Sequence, residues 1–495
     1  MLQQKYVVLT ISSMSLADAP ANASAPPSAS SRRLLPWLVA VAFFMESLDT
    51  TILNTAVPAI SAALKVAPLS MKAVLASYTL SLAVFIPISG WVADRFGTRR
   101  VFAYAIALFS LGSLLCGISG DIHVLVACRL LQGCGGAMMV PVGRLTLVRT
   151  FAKSELVRIM SFVSIPALVG PMLGPVAGGL IVRYLHWRFI FFLNIPIGIA
   201  GLLMVYKHLP DYREKNVPPL DLIGLVLFGS GIGLLSYVLE VFGEHTLGTP
   251  EMVGLLATSL ALIAAYALHA SQAQFPLLQT KLFAIRTFRA AVSGSFFTRL
   301  GIGGVPFLLP LLYQVGLGFS PVQSGLLIMP QALAAMSTKV LLPKILTRLG
   351  YRGVLISNTL ILGLMLFVFG TIGIHTPVWL IALQAFCYGA FTSLQYTSMN
   401  TLVYADLSEL QTSNGSTIAS TMQQLSVSFG VAAAGLTTVL FLPPKVGFNP
   451  LAVVRGIHEA LYILGGLTIL STMVFVRLRS GDGDNVSQHK VLHTG

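Results

Sequence analysis

Long apolar stretches separated by short polar segments run through most of this chain. An α-helix needs about 20 apolar residues to cross the hydrocarbon core of a bilayer. Fourteen stretches approach or exceed this length, at residues 35–60, 71–93, 101–119, 122–147, 159–182, 187–206, 220–242, 250–270, 290–315, 322–343, 353–373, 377–403, 414–441 and 456–476. The short alternating segments of a transmembrane β-barrel do not occur. The pattern predicts an all-α membrane protein with fourteen spanning helices.

Composition supports this prediction. Of the 495 residues, 55% are hydrophobic and 10% are charged, whereas ordinary soluble proteins carry about 25% charged residues. A chain this apolar could not cover a water-exposed surface, so we expect a lipid bilayer around it. The net charge of +14 does not indicate nucleic-acid binding, because the basic residues lie in short loops between spans and form no aromatic-basic clusters.

Most basic residues lie on one side of the predicted membrane. An even number of spans places both termini on one side, and the segments on that side hold 21 of the 31 Lys and Arg residues, against six on the other. Loops rich in Lys and Arg stay in the cytoplasm. We therefore expect both termini in the cytoplasm and the chain in the cytoplasmic (inner) membrane. Residues 1–33 are rich in Ala, Ser and Pro and are expected to form a disordered tail.

A short internal repeat suggests how the spans are divided. The segment DRFGTRRV at 94–101 is echoed by TRLGYRGV at 347–354, after spans 2 and 10. Eight spans separate the copies, which two six-helix bundles with a two-helix insert would produce. The predicted domains are the tail at 1–33, an N-terminal bundle at 34–207, the insert at 208–271, a cytoplasmic linker at 272–289, a C-terminal bundle at 290–478 and a tail at 479–495.

Two carboxylates in the first span are candidates for proton coupling. Asp49 lies near the middle of the span and Glu46 one helical turn earlier. A carboxylate at this depth costs about 2.5 to 3.5 kcal/mol on insertion scales and is rarely kept for packing alone. Arg129 in span 4 needs an acceptor, and Asp49 or Glu46 is the natural one. Separation of such a pair would let the carboxylate take up a proton; a static ion pair is the alternative.

The loop after span 2 is a candidate cytoplasmic gate. We expect Gly90 to let two helices approach closely, Gly97 to form a turn with positive φ, and Asp94 to accept hydrogen bonds from a helix N-terminus or an arginine. Together with Arg95 and Arg99, these residues would hold two helices together in one conformation and release them in another. An ordinary basic loop is the alternative.

Span 5 carries a repeat of glycine and proline at steps of four, formed by Gly170, Pro171, Gly174, Pro175 and Gly178. Glycines at this spacing form a stripe that admits a neighbouring helix. The prolines remove backbone donors and bend the helix, which predicts an element that moves or lines a cavity. A kinked packing helix is the alternative.

Other charged residues within spans have less definite roles. Glu240 lies toward the end of span 7, and Arg299 and Lys339 lie in spans 9 and 10. A basic residue there could meet an anionic substrate or pair with a carboxylate. The histidines lie away from the span centres, so carboxylates must carry any proton coupling. The chain has no Gly-Lys dipeptide and no His-Glu-x-x-His motif, which excludes an ATP-driven pump and gives no sign of a metal site or an enzyme.

The loop after span 2, Arg129 in span 4 and the glycine-proline repeat in span 5 resemble three motifs of the major facilitator superfamily, in the same order. With Asp49 in span 1 and fourteen spans, the chain is similar to the fourteen-helix drug:proton antiporters of the multidrug-efflux type. Pro166 departs from the pattern, because a glycine often opens the helix-5 motif. The resemblance covers residues 33–478 and implies a major facilitator fold without cofactors.

The resemblance also implies roles for individual residues. It assigns Asp49 and Arg129 to proton coupling, and Asp94, Arg95 and Arg99 to the cytoplasmic gate. The helix-5 residues would line the interface that closes toward the inside. We expect a monomeric, proton-coupled exporter of lipophilic drugs or organic metabolites that works by alternating access. An uncoupled facilitator or importer of a small solute, and a membrane sensor that does not transport, are the alternatives.

Overall fold

The computed structural model describes residues 29–214, 216–241, 248–441 and 450–487. In these ranges the chain is helical and contains no strand. The first helix already begins at Ala29, so the predicted tail is too long by a few residues, and the rest of that tail lies outside the described residues. The C-terminal tail is described only as far as residue 487 and includes a short helix, Asp484–Ser487.

The helices that cross from one side of the molecule to the other follow the predicted order. They are α1 (Ala29–Ile52), α2 (Lys72–Phe96), α3 (Thr98–Ile118), α4 (Ile122–Thr150), α5 (Lys153–Tyr184), α6 (Asn194–His208), α7 (Leu222–Val241), α8 (Thr249–Gln272), α9 (Arg286–Ile302), α10 (321–349), α11 (351–369), α12 (Val378–Leu402), α13 (Glu409–Leu440) and α14 (Pro450–Val476). A short helix at Phe189–Phe192 precedes α6. The predicted all-α membrane fold is confirmed.

Sequence length and hydropathy qualify eleven of the described segments as membrane spans. The remaining crossings are α5, α10 and α13, and these are the helices at which the two halves of the molecule meet. α5 packs against α10, and α2 packs against α13.

The turns at Gly97 and Gly350 repeat each other, as the sequence echo suggested. Gly97 has φ of 96° and Gly350 has φ of 64°, a region that side chains other than glycine rarely adopt. The positive φ predicted for Gly97 is therefore confirmed. At Gly350 the turn separates α10 from α11 within what is otherwise a continuous helix, Pro321–Phe369.

The first and ninth spans are each interrupted, which the apolar pattern did not predict. α1 ends at Ile52 and a short helix follows at Val57–Leu64; α9 ends at Ile302 and a short helix follows at Val305–Leu311. Pro58 and Pro306 begin the two short helices. Proline has no backbone N–H and is tolerated in the first turn of a helix. Hydropathy measures how apolar a segment is and gives no signal where a helix is interrupted within it.

Hydrogen bonds join the two halves at the helix ends remote from the two termini. The Gln314 amide donates to the carbonyl oxygen of Thr55 at 3.0 Å, and the Ser428 hydroxyl donates to that of Ala76 at 3.1 Å. At the same end, Gly179 of α5 lies against Pro321 of α10. These contacts close that side of the molecule.

The insert helices α7 and α8 pack on each other, and α7 also contacts α2 and α13. Their ends are tied by Asp221, which accepts hydrogen bonds from the backbone N–H groups of Gly224 and Leu277, at 2.8 and 3.0 Å. His269 Nε2 lies 2.7 Å from the same carboxylate. Burial acts to raise the pKa of Asp221, but these hydrogen bonds together hold that pKa below its usual value.

Candidate functional site

A buried ion pair joins α1 to α4. Arg129 Nη1 donates to Asp49 Oδ2 at 2.6 Å, and both side chains are at most 1% exposed. The other carboxylate oxygen, Oδ1, accepts from Gln132 Nε2 at 2.9 Å and from Asn194 Nδ2 at 3.0 Å. Asp49 thus has three hydrogen-bond donors from α4 and α6, as a carboxylate without water requires.

The guanidinium of Arg129 is held from two further directions. Its Nη1 also donates to Gln132 Oε1 at 2.7 Å, because residues three apart lie on one face of α4. The ring centroid of Tyr78 on α2 lies 4.3 Å from its central carbon, a cation–π contact. The ion pair, the two amides and this ring form a single polar cluster within the N-terminal bundle.

Glu46 is the second carboxylate of α1, and it is not the acceptor of Arg129. Its side chain is half-buried, and in the described part of the chain no hydrogen bond or ion pair holds its carboxylate. The nearest charges that act on it are those of Arg144 and Asp49. Of the two acceptors that the sequence allowed for Arg129, the structure selects Asp49.

The loop after α2 is bound to neighbouring segments of the same bundle. Arg149 at the end of α4 forms ion pairs with Asp94 at 2.9 Å and with Glu214 at 3.0 Å. The backbone N–H of Glu214 donates to the carbonyl of Asp94 at 3.0 Å. Asp94 therefore pairs with an arginine, one of the two contacts expected of it. Glu214 belongs to the segment that follows α6, so this segment is also part of the cluster.

Glycine is required at position 97 and not at position 90. A Cβ atom on Gly97 would lie 2.5 Å from Asp211 Oδ1, which accepts from the backbone N–H of Arg99 at 3.0 Å. Gly90 is exposed, and a Cβ atom there would meet nothing within 4 Å. The prediction that Gly90 allows a close helix approach is therefore wrong for this conformation. Arg95 is exposed at the end of α2.

The glycine stripe of α5 packs against α1. Cβ atoms on Gly170, Gly174 and Gly178 would collide with Ser47, with Thr51, and with Ile52 and Thr55, respectively. Threonine hydroxyls bridge the same pair of helices: Thr51 donates to the Gly170 carbonyl at 3.3 Å, and Thr55 donates to that of Pro175 at 3.0 Å. The stripe thus allows two helices of one bundle to approach closely.

This position corrects the role expected for the stripe. The three glycines do not line the interface between the two halves, because their close neighbours belong to α1. The contact with α10 is made by Gly179 and by the Pro175 carbonyl, which faces Gly325. α5 also runs without interruption from Lys153 to Tyr184 despite Pro171 and two further prolines. Spacing identified the close approach but could not identify the partner helix.

The three remaining in-span charges lie on separate helices. Glu240 is in the last turn of α7. Lys339 is exposed on α10, whereas Arg299 on α9 is only 3% exposed. No ion pair with Arg299 or Lys339 is found among the residues that the structure describes. Pairing with a carboxylate of the chain, one of the two expectations for these basic residues, is thus not observed there.

Sequence analysis missed several residues of the polar clusters. Asn194 stands alone among apolar residues in the segment FIFFLNIPIG at 189–198, and an isolated amide at membrane depth is a signal of a buried polar contact. Tyr78 and Arg149 gave no comparable signal. An aromatic residue in an apolar span and a basic residue at its end are both ordinary.

Comparisons with known proteins identify the family. The sequence model of the Major Facilitator Superfamily matches residues 39–431. Two relatives, from Shigella flexneri serotype 5b (strain 8401) and Escherichia coli O6:K15:H31 (strain 536 / UPEC), are each 39% identical over 456 residues, which is 91% of this chain and 96% of theirs. Both are named "Putative multidrug resistance protein MdtD".

Solved structures share the fold at low sequence identity. The POT family transporter PepTSo aligns with a TM-score of 0.67 at 14% identity, covering 90% of this chain and 97% of its own. A D-xylose-proton symporter aligns with a TM-score of 0.65 at 14% identity, covering 92% and 99%. Together with the match of the family model, these similarities show that the chain is a multi-pass membrane protein that belongs to the Major Facilitator Superfamily of transporters.

Proposed function

We propose that this chain exports lipophilic drugs or organic metabolites across the cytoplasmic membrane in exchange for protons. It acts as a monomer and a transporter rather than an enzyme, and both termini lie in the cytoplasm, where 21 of the 31 Lys and Arg residues would then reside outside the spans. The name of the MdtD relatives supports export of drugs. The major facilitator fold supports a small-molecule substrate and alternating access.

The observation that carries this proposal is the buried pair of Asp49 and Arg129. A proton on the carboxylate would remove the negative charge that holds the guanidinium, so protonation and separation of the pair are linked. The pair joins α1 to α4, and a change in its spacing would alter how these helices pack. Proton binding can thus be converted into movement of the bundle.

The described conformation fits one step of such a cycle. The hydrogen bonds between the halves lie at the ends remote from the termini, so we infer that the central cavity faces the cytoplasm. In this conformation Asp49 is paired with Arg129, as expected after a proton has left to the inside. Glu46, one turn nearer the N-terminus of α1, is placed to pass that proton toward the cytoplasm.

The cluster of Asp94, Arg149 and Glu214 would hold the ends of α2 and α4 together in the conformation described. Arg149 links the end of α4 to the loop between α2 and α3 through Asp94, and to the following connection through Glu214. These contacts lie on the proposed cytoplasmic side. They stabilise the conformation described, and we expect them to rearrange when the cavity turns outward.

The driving force is sufficient for useful export. One inward charge gains about 2.3 kcal/mol per 100 mV of membrane potential. At about 1.4 kcal/mol for each factor of ten, one proton per neutral molecule could sustain a concentration ratio of roughly fifty. A single coupling carboxylate is therefore enough for the proposed activity.

Efflux from proteoliposomes containing the full chain tests the proposal. We expect a proton gradient to drive ethidium transport, a protonophore to abolish it, and Asp49→Asn to remove the dependence on the gradient. Glu46→Gln is the matched variant, and we expect it to slow transport without uncoupling it. An uncoupled facilitator or importer would show flux that Asp49→Asn leaves unchanged. A sensor that does not transport would show no ethidium flux in either variant.

A further inference from the structure

A guanidinium without a carboxylate partner is buried in the C-terminal bundle. Arg299 is 3% exposed, its Nε donates to Ser295 Oγ at 3.0 Å, and its central carbon lies 3.5 Å from the ring centroid of Tyr396 on α12. Within the described ranges no ion pair reaches it, and its second side-chain hydrogen bond is with Tyr396. A buried cation at membrane depth normally has an anionic partner.

The chain offers few acids that could supply this partner. Five acidic residues follow the insert, and they are Asp406, Glu409, Glu459, Asp482 and Asp484. Four of them lie in the connection before α13, at its first residue, or after α14. Glu459 lies in the first half of α14. The C-terminal bundle therefore has a buried positive charge and no carboxylate placed to neutralise it.

A second basic residue lies near the same level. Gly389 of α12 packs against Gln331 of α10, and one turn later Ser393 Oγ donates to the Ala335 carbonyl at 2.8 Å. The two helices are therefore parallel, and residues at intervals of four on α10 lie beside residues at intervals of four on α12. The next step places Lys339 level with the residue after Tyr396. Lys339 is exposed, so a second cation lies on the neighbouring helix at about the level of Tyr396.

The pseudo-symmetry of the fold places this cation level with the proton-coupling pair. α1 breaks after Ile52 and α9 breaks after Ile302. Three residues before the breaks stand Asp49 and Arg299, respectively. The C-terminal bundle therefore has a guanidinium at the position where the N-terminal bundle has its buried carboxylate.

We propose that Arg299, with Lys339 and the ring of Tyr396, binds the carboxylate of an organic anion between the two bundles. A guanidinium without a carboxylate partner suits the carboxylate of a ligand, which it can bind in a bidentate manner. The aromatic ring suits an apolar body attached to that carboxylate. This inference rests on the proposed export function and names, within its substrate class, lipophilic compounds that carry a carboxylate.

Binding to the purified full-length protein tests the inference independently of transport. The probes are 2-naphthoate and salicylate, each compared with its methyl ester, which has nearly the same shape but lacks the charge. We expect the wild type to bind at least one acid tenfold or more tightly than its ester. Arg299→Gln should abolish this preference and Lys339→Gln should weaken it. Lys344→Gln, at the exposed cytoplasmic end of α10, is the control and should leave the preference unchanged.

Two results would overturn the inference. One is a wild type that binds no acid of the panel more tightly than its ester. The other is a preference that persists in Arg299→Gln. Gel filtration and thermal unfolding show whether Arg299→Gln folds. If it does not, the preference for the acid is measured in Arg299→Lys and Lys339→Gln instead. A full preference in Lys339→Gln would contradict the two-cation site. Proton-driven ethidium efflux with no acid preference would refute this inference alone, whereas an acid preference without any efflux would refute the proposed function.

Discussion

Neutralising Asp49 should expose how strongly the N-terminal bundle depends on its buried ion pair. In Asp49→Asn the guanidinium of Arg129 loses a carboxylate at 2.6 Å while it stays buried. Its Nε has no hydrogen-bond partner, and Gln132 and Tyr78, which contact the guanidinium, carry no negative charge that could replace that of the carboxylate. Removal of one partner of a buried pair costs about 3 to 5 kcal/mol. Since both side chains are at most 1% exposed, solvent screening should not reduce this value.

The double variant separates the structural role of the pair from its coupling role. Asp49→Asn with Arg129→Gln removes both charges and keeps side chains that can hydrogen-bond to each other and to Asn194. Replacement of both partners of a buried pair is often neutral, so we expect stability within about 1 kcal/mol of the wild type. Proton-driven transport should nevertheless stay absent, because no titratable group remains at the site.

The assay is unfolding of the purified protein in detergent, with the wild type, both single variants and the double variant as a thermodynamic cycle. The expected coupling energy is roughly 3 kcal/mol or more. An Asp49→Asn variant as stable as the wild type would show that Arg129 does not depend on this carboxylate. A double variant that still couples transport to protons would place the coupling group elsewhere.

Three further changes test other parts of the account. Gly174→Ala should destabilise the protein by about 1 to 3 kcal/mol, because the new methyl group would collide with Thr51 of α1. The control Gly90→Ala should change the stability by less than about 0.5 kcal/mol. Thermal unfolding of the two variants measures the difference. Arg149→Gln should slow efflux and lower stability by about 1 kcal/mol or less, because its ion pairs are partly exposed. Asp221→Asn should destabilise the protein at pH 7, and this effect should diminish as the pH falls below about 3.9, the ordinary pKa of an aspartate. The pKa of Asp221 is lowered in the folded protein, so its contribution exists above the ordinary value and is lost as the pH falls through the folded value.

The helices could be predicted from sequence because their signal is long and local. An apolar stretch long enough to cross a bilayer can adopt few structures other than a helix. Fourteen such stretches correspond to the crossings observed. The breaks after Ile52 and Ile302 could not be predicted in this way. They depend on where Pro58 and Pro306 fall within stretches that remain apolar throughout.

The Asp49–Arg129 contact could be predicted because buried charges are scarce. With two acids in span 1 and one arginine in span 4, few pairings were available, although only the structure could choose Asp49 over Glu46. Neutral partners such as Asn194 carry no charge that demands a counter-ion, so sequence does not rank them. The helix that packs on the glycine stripe could not be predicted either, because a stripe of small residues shows that another helix approaches but not which one.

Ligand-induced proton release tests the central claim most directly. Ethidium, together with any acid that the binding panel identifies, is added to the purified protein in weakly buffered detergent solution at several starting pH values, and the change in the pH of the solution is recorded. If ligand and proton compete through Asp49, the wild type should release protons on ligand addition and Asp49→Asn should release none, although the variant still binds. Equal proton release from the wild type and Asp49→Asn would contradict the account.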